Sequence, residues 1–118
     1  MLNKKHRITK QKEFDQFFGK QFKQNNGRNI SSQGLLLKIL PSELDYSRFG
    51  FMISNKVDKR ATTRNRLKRQ IREVVRLNLQ NLKGKVDALL IINSAMKGKE
   101  YSEIEKEVLS LLRKAGLL

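Results

Sequence analysis

Residues 64–82 read RNRLKRQIREVVRLNLQNL and predict a helix with two chemically different faces. At 3.6 residues per turn, one set of mostly apolar positions falls on a single stripe. These are Leu67, Ile71, Val74, Val75, Asn78 and Leu82. A set of polar and basic positions falls on the other side, namely Asn65, Lys68, Arg69, Arg72 and Arg76. The apolar stripe must pack on a core, so the basic side chains remain available to a partner.

Short apolar runs on either side of this helix predict the strands of a sheet. Val86–Asn93 (VDALLIIN) is nearly continuous in apolar residues and indicates a buried strand. Arg48–Ser54 (RFGFMIS) and Gly34–Leu40 (GLLLKIL) are two further strands, which we expect to pair antiparallel because they are close in the chain. A fourth, short strand is expected near Asn29–Ser31.

The two ends of the chain add helices to this sheet. Phe14, Phe17 and Phe18 have helical spacing in a short helix expected from about Thr9 to Gly19. A last helix begins near Tyr101, and Thr62 or Thr63 is expected to cap the central helix. The 118 residues therefore predict one α+β domain, 1–118, with four strands and three helices in the order α-β-β-β-α-β-α. Residues 1–8 are expected to form a basic, partly flexible tail.

The charge of the chain is large and unevenly distributed. Lysine and arginine number 26 against 11 acids, which gives a net charge of +15. Residues 56–76 hold nine basic and two acidic side chains, and residues 1–28 hold eight and two. The rest of the chain is close to neutral. Two concentrated basic segments favour a polyanionic partner over a merely solvated surface.

The composition excludes several kinds of site. The chain has no cysteine and a single histidine, His6, so disulfides, thiolate metal sites and Ser-His-Asp triads are excluded or nearly so. The longest apolar run, Ala88–Ile92, is far too short to span a membrane. A basic N-terminus without a following apolar stretch argues against a secretory signal, so we expect a cytoplasmic protein.

The side chains of the central helix suit RNA better than they suit catalysis. Arginine presents a planar fork of donors to phosphate oxygens, and a helix holds several forks at fixed spacing. Two strands leading into a basic helix match neither a helix-turn-helix nor a basic zipper, which favours RNA over duplex DNA. Phe14 and Phe18 either join the core or stack on unpaired bases, whereas Phe17 is expected in the core. Phe49 and Phe51 share one face of their strand, and core packing is the favoured interpretation.

Several segments together resemble one known family. Arg48–Lys56 (RFGFMISNK) precedes the segment Arg64-Asn65-Arg66-Leu67-Lys68-Arg69, and Arg72-Glu73 follows. This arrangement closely resembles the bacterial ribonuclease P protein subunit, whose signature is RNR-x-K-R after an R-x-G strand. The pattern Arg7-Ile8 with Phe14 and Phe18, and the strand from Asp87 to Ile92, extend the likeness over nearly the whole chain. Asn55 and Asn93 depart from the family pattern.

The resemblance implies a ribonucleoprotein that removes the 5′ leader of precursor tRNA, with catalysis by its RNA and no activity of the protein alone. It implies that a cleft between sheet and helix binds the leader, with contacts from Phe14, Phe18, Lys56 and Arg60. The surface expected to face the catalytic RNA comprises Arg64, Asn65, Arg66, Lys68, Arg69, Arg72 and Arg76.

The resemblance has three further implications. Magnesium would be held mainly by RNA and by substrate phosphates, as suits a hard ion. The protein would be a monomer in a complex of one protein and one RNA. The central helix would join its strands by a left-handed crossover, against the general right-handed rule.

Three other functions are compatible with part of the pattern. A ribosome-associated or other generic RNA-binding protein would share the basic helix but would not discriminate leader length. A metal-dependent nuclease would need clustered carboxylates, for which Asp58 and Asp87 are the candidates. A membrane-surface protein is disfavoured because the apolar stripe of the basic helix is needed for the core.

Overall fold

The computed structural model describes residues 2–118 as a four-stranded sheet with helices on both faces. The strands are β1 (Arg28–Ser31), β2 (Leu35–Pro41), β3 (Arg48–Ile53) and β4 (Val86–Ile92). The helices are α1 (Gln11–Asp15), α2 (Lys20–Gln24), α3 (Ala61–Asn78) and α4 (Tyr101–Lys114). Short 3₁₀ turns occupy Lys4–His6, Leu79–Asn81 and Ser94–Met96. The predicted α+β class and the four strands are confirmed.

The strand order is β1-β2-β4-β3, so the expected pairing of β2 with β3 is wrong. β4 lies between them, antiparallel to β2 and parallel to β3. The physical reason is burial: six of the seven β4 residues are buried, and an edge position would expose that strand to water. β3, α3 and β4 therefore form a unit with two adjacent parallel strands, which the expected crossover requires. The left hand of that crossover stays a prediction.

One face of the sheet carries the main core. The apolar stripe of α3, with Leu67, Ile71, Val74 and Val75 buried, packs there together with the apolar face of α4. Phe49 and Phe51 belong to this core, as the sequence indicated. The exposed basic side chains of α3, Arg66 and Arg69, consequently lie outside this core.

The N-terminal residues reach the opposite face by passing around the free edge of β3. Leu2 is buried in the main core, and the Ile8 amide donates a 2.8 Å hydrogen bond to the Phe49 carbonyl. Beyond Ile8, the chain forms a second cluster in which Phe17 and Phe22 pack on the sheet. Residues 2–8, expected to be a tail, thus lie against the edge of β3 in this structure.

Two local expectations need correction. The predicted N-terminal helix is two short helices, because Gly19 adopts a positive φ of 72° between α1 and α2. The central helix starts at Ala61 with Arg60 in the N-cap position, so neither Thr62 nor Thr63 caps it. Asp58 sets this earlier start, since its carboxylate accepts a 2.8 Å hydrogen bond from the Arg60 amide.

Candidate nucleic-acid interface

The outer face of α3 presents exposed polar and basic side chains in its N-terminal half. Asn65, Arg66 and Arg69 are exposed there. They are spaced so that Asn65 and Arg69 lie one turn apart and Arg66 lies beside them. Because the apolar stripe fixes the helix on the core, these side chains project from a rigid support.

Arg64 and Arg60 are engaged with the loop before α3. The Arg64 guanidinium donates to the carbonyls of Asp58 and Lys59 at 2.8 and 3.0 Å. Arg60 makes a side-chain ion pair with the buried Asp58 carboxylate, which Lys97 also approaches at 3.2 Å. The Arg60 hydrogen bonds, and then Lys97, hold the pKa of Asp58 well below its usual range. These two arginines therefore shape the loop as well as adding charge.

The last predicted RNA-binding residue, Arg76, lies in the C-terminal half of α3 and is already paired. Its guanidinium bonds to Glu73 one turn earlier, with Nε 3.0 Å from the carboxylate, and this contact raises the pKa of Arg76. The negative charge of Glu73 therefore offsets part of the attraction between Arg76 and an anion. The structure thus concentrates uncompensated positive charge toward the N-terminal half of the helix.

A basic groove separates α3 from the N-terminal segment. It encloses about 440 Å³ and is lined by Leu2, Arg7, Asn65, Lys68, Arg69, Arg72 and Glu73. Burial, and then the charges of Arg72 and Arg64, lower the pKa of Lys68. The Arg72 guanidinium lies 5.3 Å from the centre of the Phe51 ring, which keeps it close to the sheet. We call this feature the basic groove.

The opposite face of the sheet is covered only in part. Strand register places Leu36, Ile91 and Met52 side by side across β2, β4 and β3. Leu36 and Ile91 are half-buried and Met52 is exposed, so this row forms an open apolar strip. We call it the open row. An apolar strip that three strands support is a surface on which flat rings can stack.

Aromatic side chains border the open row. Phe14 packs over Gly50, at which an added Cβ would come within 2.9 Å of the ring. Phe18 is 42% exposed, and the Lys38 ammonium lies 5.3 Å from its ring centre and 4.6 Å from that of Phe22. Phe14 and Phe18 therefore reach the same face as the open row. Their contact with a leader stays a prediction.

An ion-pair cluster fixes α1 on this face. Arg48 donates to Asp87 through Nε at 3.1 Å and Nη2 at 2.7 Å, and it also bonds to Glu13 of α1. Asp87 and then Glu13 raise the pKa of Arg48. Burial raises the pKa of Glu13, but the Arg48 and backbone hydrogen bonds outweigh it and leave that pKa lowered. Glu13 precedes Phe14, so the cluster holds the aromatic ring near the sheet.

Lys56 lies beyond the C-terminal end of β3, two residues after Ser54, whose hydroxyl accepts from the Lys56 amide at 3.1 Å. It is exposed, as is Arg60. Both follow the strand that carries Met52, so they are placed past the end of the open row. Their side chains do not join Phe14 and Phe18 in one contact cluster.

Sequence reasoning missed several lining residues. Lys38 is the only charged residue in the apolar run GLLLKIL. Because successive side chains of a strand point to opposite faces, this lysine is a local signal that one face of the strand is not fully buried. Arg7 belongs to the family pattern and to the expected tail, but its position beside Arg72 has no local sequence signal, because it depends on the pairing with β3. Met52 and Ile91 carry no sequence signal, since their exposure depends on what covers the sheet.

The carboxylates in the described part of the chain form no metal-binding group. Within residues 2–118, no three His, Cys, Asp or Glu side chains are clustered to hold an ion. Asp58 is bound by Arg60 and Lys97, and Asp87 by Arg48. None of the helices over these residues is long and apolar enough to cross a bilayer.

Comparison with known proteins identifies the family. The family model described as Ribonuclease P matches residues 2–116. The chain belongs to the ribonuclease P protein family. It is 35% identical over 117 residues to the ribonuclease P protein component of Syntrophomonas wolfei, covering 99% of this chain and 92% of that one. The Clostridium acetobutylicum component is 38% identical over 117 residues, covering 98% and 92%.

Solved ribonuclease P proteins share the fold. A mutant of the Staphylococcus aureus protein superposes with a TM-score of 0.85 at 23% identity, over 98% of this chain and 92% of that chain. The Thermotoga maritima protein gives 0.70 at 24% identity, over 80% and 91%. The chain is therefore a protein subunit of ribonuclease P, the ribonucleoprotein endoribonuclease of tRNA 5′ processing, and its partner is the ribonuclease P RNA.

Proposed function

We propose that the two faces of this subunit bind two different RNAs. The basic face of α3 binds the catalytic ribonuclease P RNA, and the open row with Phe14 and Phe18 binds the 5′ leader of precursor tRNA. The observation that carries the proposal is the chemical contrast between the faces. One presents guanidinium groups on a helix, and the other presents an apolar strip bordered by aromatic rings.

The leader assignment rests on the chemistry of unpaired RNA. A single-stranded leader exposes base faces, which stack on aromatic side chains and on apolar strips. Phe18 is exposed although it is large and apolar, and Lys38 beside it supplies a positive charge for the phosphates. In this proposal the leader RNA continues past the end of β3, where Lys56 and Arg60 lie.

The assignment of α3 rests on phosphate recognition. Structured RNA presents phosphates at regular spacing. Arginine side chains on a rigid helix bind such phosphates with a small loss of conformational entropy. Asn65 adds an amide that can contact a sugar or a base edge. Arg66 and Arg69 are the strongest candidates, because both side chains are exposed on the N-terminal half of α3.

In this proposal the RNA catalyses the cleavage of precursor tRNA. Magnesium is held by RNA and substrate phosphates, since hard cations prefer such oxygens and the buried carboxylates of the chain are paired with cations. The protein binds and orients the leader. One protein acts with one RNA, because the two faces together provide one RNA surface and one leader cleft.

The leader assignment is tested with Phe18→Ala in the reconstituted holoenzyme. Affinity for leader-bearing precursor tRNA should fall about fivefold or more, since one base–aromatic stack contributes about 1–3 kcal/mol. Affinity for mature tRNA should stay unchanged. Leu44→Ala is the matched control, because Leu44 is similarly exposed, at 40%, in the turn after β2. Equal losses for both substrates with Phe18→Ala would refute the leader site.

The same preparation tests the role of the subunit. The wild-type protein should restore cleavage of precursor tRNA by its cognate ribonuclease P RNA at low magnesium. Absence of any stimulation would contradict the proposed division of labour between protein and RNA.

A further inference from the structure

We propose that Arg7 and Arg72 together clamp one backbone phosphate of the ribonuclease P RNA inside the basic groove. The two residues come from different parts of the chain, the N-terminal segment and α3. The proposal rests on the RNA partnership described above, and it adds a defined anion site in which Arg7 takes part.

The position of Arg7 follows from β pairing. Arg7 forms an isolated parallel bridge with Phe49, and the next amide, from Ile8, donates to the Phe49 carbonyl. Leu2, which is only 2% exposed, anchors the other end of the segment in the core. The backbone around Arg7 is therefore fixed, and its side chain lines the same groove as Arg72.

The hydrogen-bonding state of the two guanidinium groups points to an anion. Among the described residues, the only buried side-chain nitrogen or oxygen atoms without a hydrogen-bond partner are Nε of Arg7 and Nε of Arg72. Buried donors are normally satisfied, and two such donors in one groove are an unusual cost. A phosphate carries several acceptor oxygens, so one such group would satisfy both donors once the two side chains turn toward it.

The electrostatics of the groove agree with this geometry. Burial, and then the charge of Arg7, lower the pKa of Arg72. Lys68 and Arg69 line the same space and add positive charge. The acid of the lining, Glu73, is hydrogen-bonded to Arg76. An anion between Arg7 and Arg72 would replace their mutual repulsion with attraction to both.

The chemistry and size of the site favour an RNA phosphate. Arginine pairs with phosphate through two parallel hydrogen bonds, and each guanidinium here has an unused Nε donor. A groove of about 440 Å³ admits one phosphate with its flanking sugars. Leu2, Asn65 and Arg69 also line the groove, so an RNA strand held there would pass these side chains.

The first test uses inorganic phosphate and the isolated wild-type protein, followed by NMR of the arginine Nε–Hε groups. Addition of phosphate should shift the Arg7 and Arg72 signals together and saturably, at constant ionic strength in chloride. The Arg113 signal, from an exposed arginine near the end of α4, should not shift in this way. Absence of a shared saturable shift would overturn the site, and this test does not depend on RNA.

The second test is a double-mutant cycle on RNA affinity, with Arg7→Gln, Arg72→Gln and both together. Each single change should weaken binding about tenfold or more, because charge-assisted bonds are lost. The double change should weaken binding by much less than the product of the single effects, since both side chains bind one phosphate. The clamp would be overturned if the double change reduced RNA affinity by the product of the two single effects. It would also be overturned if neither single change reduced the affinity. Arg113→Gln, with the same charge change, should leave affinity nearly unchanged.

A thermal melt separates binding from folding. Phosphate should raise the melting temperature of the wild-type protein more than that of Arg7→Gln, because only the wild type holds the full site. An equal phosphate effect on both proteins would contradict the proposal. Arg7→Lys keeps the charge without the fork and should bind RNA with intermediate affinity. Failure of the wild type to bind the RNA would contradict the partnership itself rather than this site alone.

Discussion

Gly50 lets an aromatic side chain reach the sheet. An added Cβ would meet the Phe14 ring at 2.9 Å and the Ile8 Cβ at 3.3 Å. Both contacts come from the segment that crosses to the face of the open row. Because glycine has a hydrogen in place of a Cβ, this segment can pack closely on β3 at Gly50. Arg48, two residues earlier, bonds to Glu13 and holds the same segment from its other side.

We expect Gly50→Ala to displace Phe14 and to lower the free energy of unfolding by about 1–3 kcal/mol, as overpacking does. Urea denaturation measures the stability, and holoenzyme binding of leader-bearing precursor tRNA measures the cleft. The double variant Gly50→Ala/Phe14→Leu should recover stability but not leader affinity. Unchanged stability of Gly50→Ala would show that the ring does not pack as described.

At the scale of elements, α3 divides its cations by position. Arg64 bonds to two loop carbonyls and Arg76 to Glu73, whereas Arg66 and Arg69 are exposed. All four belong to the surface that the resemblance implied would face the catalytic RNA, and the sequence does not show which of them have partners within the protein. The structure separates those that hold the protein together from those that are free to bind RNA.

This division predicts different phenotypes for the arginines of α3. Arg66→Gln and Arg69→Gln should each reduce the slope of log affinity for ribonuclease P RNA against log salt by about 0.7–0.9, with stability within about 0.5 kcal/mol of wild type. Arg64→Gln should lower the unfolding free energy by about 1 kcal/mol, because its carbonyl partners lose their donors. Salt titrations and urea denaturation measure both quantities. A stability loss in Arg66→Gln equal to that in Arg64→Gln would contradict the division.

At the scale of the whole molecule, a net charge of +15 on 118 residues opposes folding by self-repulsion. Some of the few acids form ion pairs with nearby arginines. Glu13 and Asp87 bind Arg48, and Asp58 binds Arg60. The remaining repulsion is distributed over two faces of one small domain. Binding of RNA would remove it on both faces.

We therefore expect the melting temperature of the free protein to rise when sodium chloride increases from about 20 to about 200 mM, because screening shortens the range of repulsion. The double variant Arg66→Gln/Arg69→Gln should show a smaller rise, since it removes two unpaired charges. Thermal denaturation at fixed pH measures the effect. A melting temperature that falls with salt would indicate that attractive ion pairs dominate instead.

Local sequence patterns were enough to predict most of the helices and strands and the chemistry of one surface. The period of apolar residues in α3 and the apolar run of β4 are local properties, so the helix, the buried strand and the basic stripe could be predicted. The segment from Arg64 to Arg69, with its flanking strand, also determined the family resemblance. Arg7 and Lys38 could not be assigned in this way, because no local pattern connects them to their neighbours.

Strand pairing and the contacts between distant side chains depend on the packing of the whole fold. Insertion of β4 between β2 and β3 depends on burying the most apolar strand, which is a property of the whole sheet. That order creates the open row, and it leaves the edge of β3 free to receive Arg7 and Ile8. The basic groove and the aromatic border of the open row follow from long-range packing, whose free energy no short segment contains.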